Sequence, residues 1–164
     1  MQTPSRQLLL LEAGFIIRCD VEGPISFQPP IPPYFWYGIH LAELAIAAMG
    51  PGCQTVHVDS QDAQVDSTIA PWHDGRVANI RAFFSGHTEF KVVLQGQEIE
   101  WNTNVSATRR PYYASMIEAI LSHLPSGKIC VPIEETLDII SFLEACNESR
   151  ITNNLVCLKT PYLT

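Results

Sequence analysis

Short runs of alternating apolar and polar residues, joined by tight turns, fill residues 55–101 and restrict this chain to folds built on an antiparallel sheet. Val56 and Val58 alternate with Thr55, His57 and Asp59, a period of two that turns one strand face inward and the other outward. The Asp74-Gly75 step suits a two-residue hairpin, where aspartate and glycine tolerate the positive φ that such turns demand. It joins a strand at 65–69 to one at 77–84. Phe90, Val92 and Leu94 face one way, and Gly96 turns the chain toward Ile99 and Trp101. The pattern predicts an antiparallel meander.

Other periods flank this region. Residues 3–13 have the pattern of a helix stopped by Gly14. Phe15, Ile17, Cys19 and Val21 then alternate with Ile16, Arg18, Asp20 and Glu22, predicting a strand with the first set inward. Gly23-Pro24 and the proline-rich stretch 28–33 impose an extended loop, because proline fixes φ and disfavours helix before it. Residues 34–49 are apolar on nearly all sides, which predicts an interior helix ending at Gly50-Pro51-Gly52. Two amphipathic helices follow. The first opens at Pro111, carries Met116, Ile117, Ile120, Leu121 and Leu124 on one stripe, and ends near Ser126-Gly127. The second opens at Pro132, with Ile133, Leu137, Ile140 and Leu143 as its core face and Glu134 and Glu135 at the acid-favouring end of its dipole. A short strand at 155–158 closes the chain.

This order predicts one α+β domain over 1–164: an open-faced, mainly antiparallel sheet with helices packed on one face. The free face carries Arg18, His57, Arg81 and Lys91, with Phe83 and Val93 among them. Apolar groups mixed with charges suit a partner better than bare water, and a closed homodimer through this face would cover them.

Composition removes several function classes. A net charge of −7, with only Lys91, Lys128 and Lys159 as lysines, argues against binding nucleic acid or anionic membranes. Arg109-Arg110 could hold an acidic group, although a solvated loop end accounts for the pair more simply. Leu8-Leu9-Leu10-Leu11 is too short to span a bilayer. Five scattered cysteines without a CxxC pair indicate reduced thiols and a cytoplasmic chain. His57, His73 and His87, with Asp59, Asp62 and Asp66, lack the close pairing of zinc ligands, so no metal is expected. No G-x-S-x-G serine signature occurs.

The stretch Trp36-Tyr37-Gly38-Ile39-His40-Leu41-Ala42-Glu43, followed by Met49-Gly50-Pro51-Gly52, resembles the glucose–fructose oxidoreductase / inositol dehydrogenase / MocA (Gfo/Idh/MocA) family. Its members often carry a G-I-H step on the first helix of the C-terminal domain, with an acid three residues later. Glu22-Gly23-Pro24 is similar to the end of that domain's first strand, Asp74-Gly75-Arg76 to its central hairpin, and Gly127 to Ser149 to its closing helix. The resemblance covers nearly the whole chain. It implies a substrate-binding and dimerisation domain, acting on a sugar or cyclitol hydroxyl beside NAD or NADP. The family's Rossmann domain, with its G-x-G-x-x-G turn and Glu-Lys-Pro lysine, has no counterpart here. Residues 1–14 resemble a remnant of the inter-domain helix. No cofactor is therefore expected to bind this chain alone, and a separate Rossmann-domain chain is an implied partner.

His40 is the candidate catalytic residue: an imidazole beside a substrate hydroxyl can accept its proton as hydride leaves. Glu43, at i+3, is placed to orient it. The plainer account is a buried histidine bonded to Glu43 or to backbone. Trp36 and Tyr37 could line a sugar-sized pocket, or simply be core. Many relatives carry an aspartate where Trp36 stands, which puts standard alcohol oxidation in doubt. The alternative reading is a non-catalytic module that binds a small molecule or a protein.

Overall fold

The computed structural model describes residues 15–159 except 99, 108–110, 128 and 130, and omits the side chain of Tyr112. The helix expected at 3–13 and the Arg109-Arg110 pair lie outside the described residues. The elements are β1 (Ile16–Pro24), a π-turn (Tyr34–Gly38) running into α1 (Ile39–Met49), β2 (Thr55–Asp59), β3 (Val65–Pro71), β4 (Val77–Phe83), β5 (Lys91–Gly96), β6 (Glu100–Asn104), α2 (Tyr112–His123), α3 (Ile133–Thr152) and β7 (Val156–Cys157). The architecture is α+β, with α1 and α3 layered on one face of an open sheet. No helix among the described residues is long and apolar enough to cross a membrane.

The seven strands lie in the order β6-β5-β1-β4-β3-β2-β7. The expected meander is therefore split. β2, β3 and β4 form one antiparallel run and β5 with β6 another, while β1 enters between them, parallel to β4 and antiparallel to β5. Alternation says which face of a strand is buried, not which strands its edges will take. A central place satisfies the backbone groups of β1 on both sides.

A bulge also changes which β1 residues point inward. Ile16 pairs with Gly96 and Arg18 with Gln95, so β1 carries one extra residue against β5. Ile16, Cys19 and Val21 are buried, whereas Phe15 and Ile17, expected inward, are 49% and 40% exposed. Beyond the bulge the strand alternates regularly. The core sets Cys19, Val21, Ala78, Ile80, Ala82, Val92 and Leu94 of the sheet against Leu41, Ala45, Ile46 and Met49 of α1, with Ile139, Phe142, Leu143 and Cys146 of α3 alongside. Cys19, Cys53, Cys146 and Cys157 are free; burial pushes the Cys19 and Cys53 thiols up to about 12, while Cys157 is exposed.

The three helices depart from their expected faces. Trp36, Tyr37, His40 and Glu43 leave one side of the π-turn and α1 open, so this helix covers the sheet without being enclosed. Helix α2 buries none of its stripe: Met116, Ile117, Ile120, Leu121 and Leu124 are all exposed, and α2 packs chiefly on the turn that follows it. In α3 the buried face runs through Ile139, Phe142, Leu143 and Cys146, leaving Ile133 and Ile140 exposed and Leu137 half-buried. Polar residues complete that face because their hydrogen bonds are met. Ser149 Oγ accepts from Val58 N at 2.9 Å and donates to Asn154 O at 2.6 Å, and Ser141 Oγ donates to Lys159 O at 2.9 Å.

One polar network ties the layers together. Asp66 on β3 is 1% exposed. Its Oδ2 accepts from Arg150 Nε at 2.7 Å and from the Tyr34 hydroxyl at 3.0 Å. Asn147 Oδ1 accepts from Tyr34 N at 3.0 Å, and the Arg150 guanidinium lies over the Phe27 ring at 4.8 Å. A buried carboxylate needs such a counter-charge. Arg150→Met should therefore lower unfolding free energy by about 3–5 kcal/mol. Tyr34→Phe, which removes one neutral donor, should cost about 1 kcal/mol. Urea titrations of the two variants against the wild type would reveal that ordering.

Candidate functional site

The open side of the π-turn and α1 gathers the residues that carry chemistry. Positions 36, 40, 43 and 47 fall on one helical stripe, because three- and four-residue steps return to the same face. Trp36, Tyr37, His40, Glu43 and Ala47 are exposed there. Gly38 fits where a side chain would not, since a Cβ would stand 2.9 Å from the buried Tyr34 ring. The π-turn is the irregular element here, and such turns often accompany functional sites.

His40 Nδ1 lies 3.4 Å from Glu43 Oε2, a long contact between side chains that are each 51% exposed. The account of His40 as a buried core histidine fails on that exposure. The imidazole stands edge-on to Tyr37, with ring centroids 5.4 Å apart, and edge-on to Phe90 at 5.8 Å. Tyr37 and Phe90 are near-parallel, 6.3 Å apart and inclined by 23°. Three rings thus form one wall, with a carboxylate on the far side of the imidazole. Trp36 is exposed one residue away and stands outside this ring cluster.

Phe90 is the site member that the sequence pattern did not single out, because alternation marked it only as an inward strand residue. It precedes β5, and its backbone is held at both groups: Phe90 N donates to Ser106 Oγ at 2.8 Å, and Phe90 O accepts from Val105 N at 2.8 Å. Its ring rests on Gly23 of β1, where an added Cβ would come within 2.4 Å of Cδ1. An aromatic one strand away from a glycine is the available signal, but it becomes readable only once β1 and β5 are known to pair.

With Nδ1 turned to Glu43, Nε2 is the nitrogen left to take or give a proton. The flat faces of Tyr37 and Phe90 suit the apolar side of a ring-shaped ligand. Phosphate is poorly served. Gly50-Pro51-Gly52 follows the carbonyl end of α1, where Gly50 N donates to Ile46 O, Gly50 O accepts from Trp72 Nε1 and Gly52 O accepts from His73 N. Anions are held by free N–H groups at the opposite end of a helix.

The remaining candidates do not converge. Asp59 and Asp62 cap turns at Gln61 N and Gln64 N, Asp66 belongs to the buried network, and His73 lies against Gly52. His87 stacks on Phe83 with centroids 4.2 Å apart, and His57 sits on the free sheet face. No group of three or more His, Cys, Asp or Glu side chains is placed to hold a metal among the described residues. Gly23→Ala should push Phe90 off β1, cost about 1–3 kcal/mol through overpacking, and shift the His40 ring-proton resonances as the neighbouring ring current moves. Unchanged His40 resonances in the folded variant would dissociate Phe90 from the site.

No protein-family model matches the chain, and no curated protein matches it. Solved structures do. The chain superposes on scyllo-inositol dehydrogenase from Lactobacillus casei, determined with NAD(H) and scyllo-inositol, with a TM-score of 0.74 at 11% identity, over 93% of this chain and 60% of that one. For myo-inositol 2-dehydrogenase from Lactobacillus plantarum the TM-score is 0.71 at 12% identity, over 94% and 62%. For GenD2 from gentamicin A biosynthesis, in complex with NAD, it is 0.73 at 13% identity, over 94% and 59%. The chain therefore spans about 60% of the length of these relatives, and has the fold of Gfo/Idh/MocA-type inositol and sugar dehydrogenases over an extent consistent with their C-terminal domain alone.

Proposed function

We propose that this domain holds a sugar or cyclitol for an NAD(P)-dependent oxidoreductase and is inactive until a nucleotide-binding half is supplied. The observation that carries this reading is the His40–Glu43 pair set into the Tyr37–Phe90 wall, on a fold whose solved relatives include enzymes bound to NAD(H) and an inositol. The nucleotide supplies hydride chemistry when bound to the other half. Within this chain, Tyr37 and Phe90, with Trp36 at the margin, pack against the ring of the substrate. His40 Nε2 accepts a proton from its hydroxyl, while Glu43 holds the tautomer through Nδ1. Trp36, at the position where many relatives carry an aspartate, narrows the alcohols this site could oxidise, and favours a non-catalytic binding module as the second reading.

Two measurements separate these readings. Calorimetric titration of the chain alone with NAD(H) or NADP(H) should give no binding, because the Gly50-Pro51-Gly52 turn presents carbonyl groups; micromolar affinity would overturn the proposal. Joined to a family Rossmann domain, the chain should oxidise a cyclitol or sugar. His40→Ala should abolish that turnover, about 10²–10⁴-fold for a lost general base, with the fold intact by circular dichroism. Activity that survives the substitution would leave His40 a structural residue, and an inactive wild-type chimera would favour the binding module.

The free sheet face belongs to the same proposal as a homodimer surface. Across the strands, Lys91, Glu22 and Arg81 alternate in charge along one row, with Arg81 Nη1 3.7 Å from Glu22 Oε2. The next row runs Val93, Asp20, Asn79, Ile69 and His57, with Ile69 53% exposed. A two-fold axis lying between Lys91 and Glu22 sets each against the other's copy, and the apolar members of the face leave water. Light scattering should report a dimer for the wild type and a monomer for Val93→Glu. A wild type that stays monomeric at high concentration, or a dimer unaffected by the substitution, would defeat the pairing.

A further inference from the structure

The His40 site carries negative charge with nothing on this domain to offset it. Glu43 turns one carboxylate oxygen, Oε2, toward His40 Nδ1 at 3.4 Å. Its other oxygen, Oε1, has no hydrogen-bond partner among the described residues, and the side chain is 51% exposed. Alongside, the near-parallel rings of Tyr37 and Phe90 stand 6.3 Å apart, with the imidazole edge-on to both. In the open domain, water hydrates Oε1. A substrate covered by a nucleotide-binding half would remove that water, and a buried carboxylate then needs a donor or a counter-charge.

The basic side chains of the chain are committed elsewhere. Arg18 pairs with Asp20, Arg76 with Asp74, Arg81 with Glu22, Lys91 with Glu89 and Arg150 with Asp66. Lys159 lines a groove beside β7 and α3. The guanidiniums that lie over aromatic rings cover Phe15, Phe83, Phe27 and Phe84. Among the described residues, no arginine or lysine pairs with Glu43 or lies over Tyr37 or Phe90. Any cation for this site must therefore come with the ligand or with the other half.

Resting on the reading that this domain holds a sugar or cyclitol, we infer that the ligand is an amino sugar or aminocyclitol, bound with its protonated amine on Glu43 Oε1. An ammonium brings a charge and several N–H donors to that oxygen, whereas a hydroxyl brings one donor and no charge. The ring wall acts in the same direction, because aromatic faces are electrically negative and attract cations. A phosphorylated or uronic sugar would set a second anion beside Glu43, a like-charge contact. His40 Nε2 stays free for a hydroxyl, so the amine and the reacting carbon occupy different positions of the substrate ring.

The test titrates the full chain with glucosamine, N-acetylglucosamine, glucose and glucuronate at a pH that keeps the free amine charged. Backbone amide shifts at residues 36–43 and 90 report binding at this site. Glucosamine should bind about tenfold tighter than glucose. N-acetylglucosamine, which keeps the nitrogen but loses its charge, should bind no better than glucose, and glucuronate should bind more weakly. Glu43→Gln should bring the glucosamine-to-glucose ratio close to one. Equal affinity for glucosamine and glucose, a preference that survives Glu43→Gln, or tightest binding of glucuronate would overturn the inference and leave the sugar-holding reading in place. No shift at these residues with any of the four sugars would overturn that reading, and the inference with it.

Discussion

The buried carboxylate of Asp66 sets where the helices of this domain can lie. A charge removed from water must find a partner, and its partners come from the C-terminal part of α3 and the first residue of the π-turn. Arg150 reaches across, its guanidinium covered by Phe27, and Tyr34 is bonded through its hydroxyl to Asp66 and through its backbone to Asn147. Burial and the Asp66 charge both push the Tyr34 hydroxyl well above the usual phenol range, so it remains a donor. The entry of α1 is thereby fixed against both the sheet and α3. Everything further along that helix, including His40, inherits its position from this junction.

The opposite wall of the site depends on the sheet instead. β1 sits in its centre, and Gly23 near the end of that strand leaves room for Phe90. Phe90 is also pinned by the turn after β6, through Ser106 and Val105. The site is therefore a junction of two separately anchored parts: a helix stripe held by a polar network, and an aromatic ring held by close packing on a glycine. Such support from rigid elements is what an exposed imidazole–carboxylate pair needs to keep one geometry.

How much of this could be read from the sequence depended on the range of the interaction involved. The Asp74-Gly75 hairpin and its flanking strands were legible, because turn chemistry and alternation act over a few residues. The placing of His40 and Glu43 on one stripe was legible for the same reason. The bulge in β1 was not: it depends on the register against β5, and a single extra residue turned Ile17 outward and Ile16 inward. The inward face of α3 was misjudged because Ser141, Asn147 and Ser149 are buried with their hydrogen bonds met, and an apolar count gives such residues no weight. The stripe on α2 was read correctly as apolar, yet apolarity indicates a need for cover and not its source. Phe90 joined the site only through a pairing between strands about seventy residues apart.

That central placing of β1 bears on how the domain folds. Its partners β4 and β5 follow it by some sixty to eighty residues, so both edges of the strand are closed by non-local contacts, whose loop entropy must be overcome before they stabilise anything. The run β2–β3–β4, by contrast, is joined by short turns and can assemble early. On a ribosome β1 would emerge before its partners and be among the last strands of this sheet to find its place, waiting until residues past 96 have been made. Cys19 and Val21, whose burial completes the core, would stay open to water and to wrong partners throughout that interval.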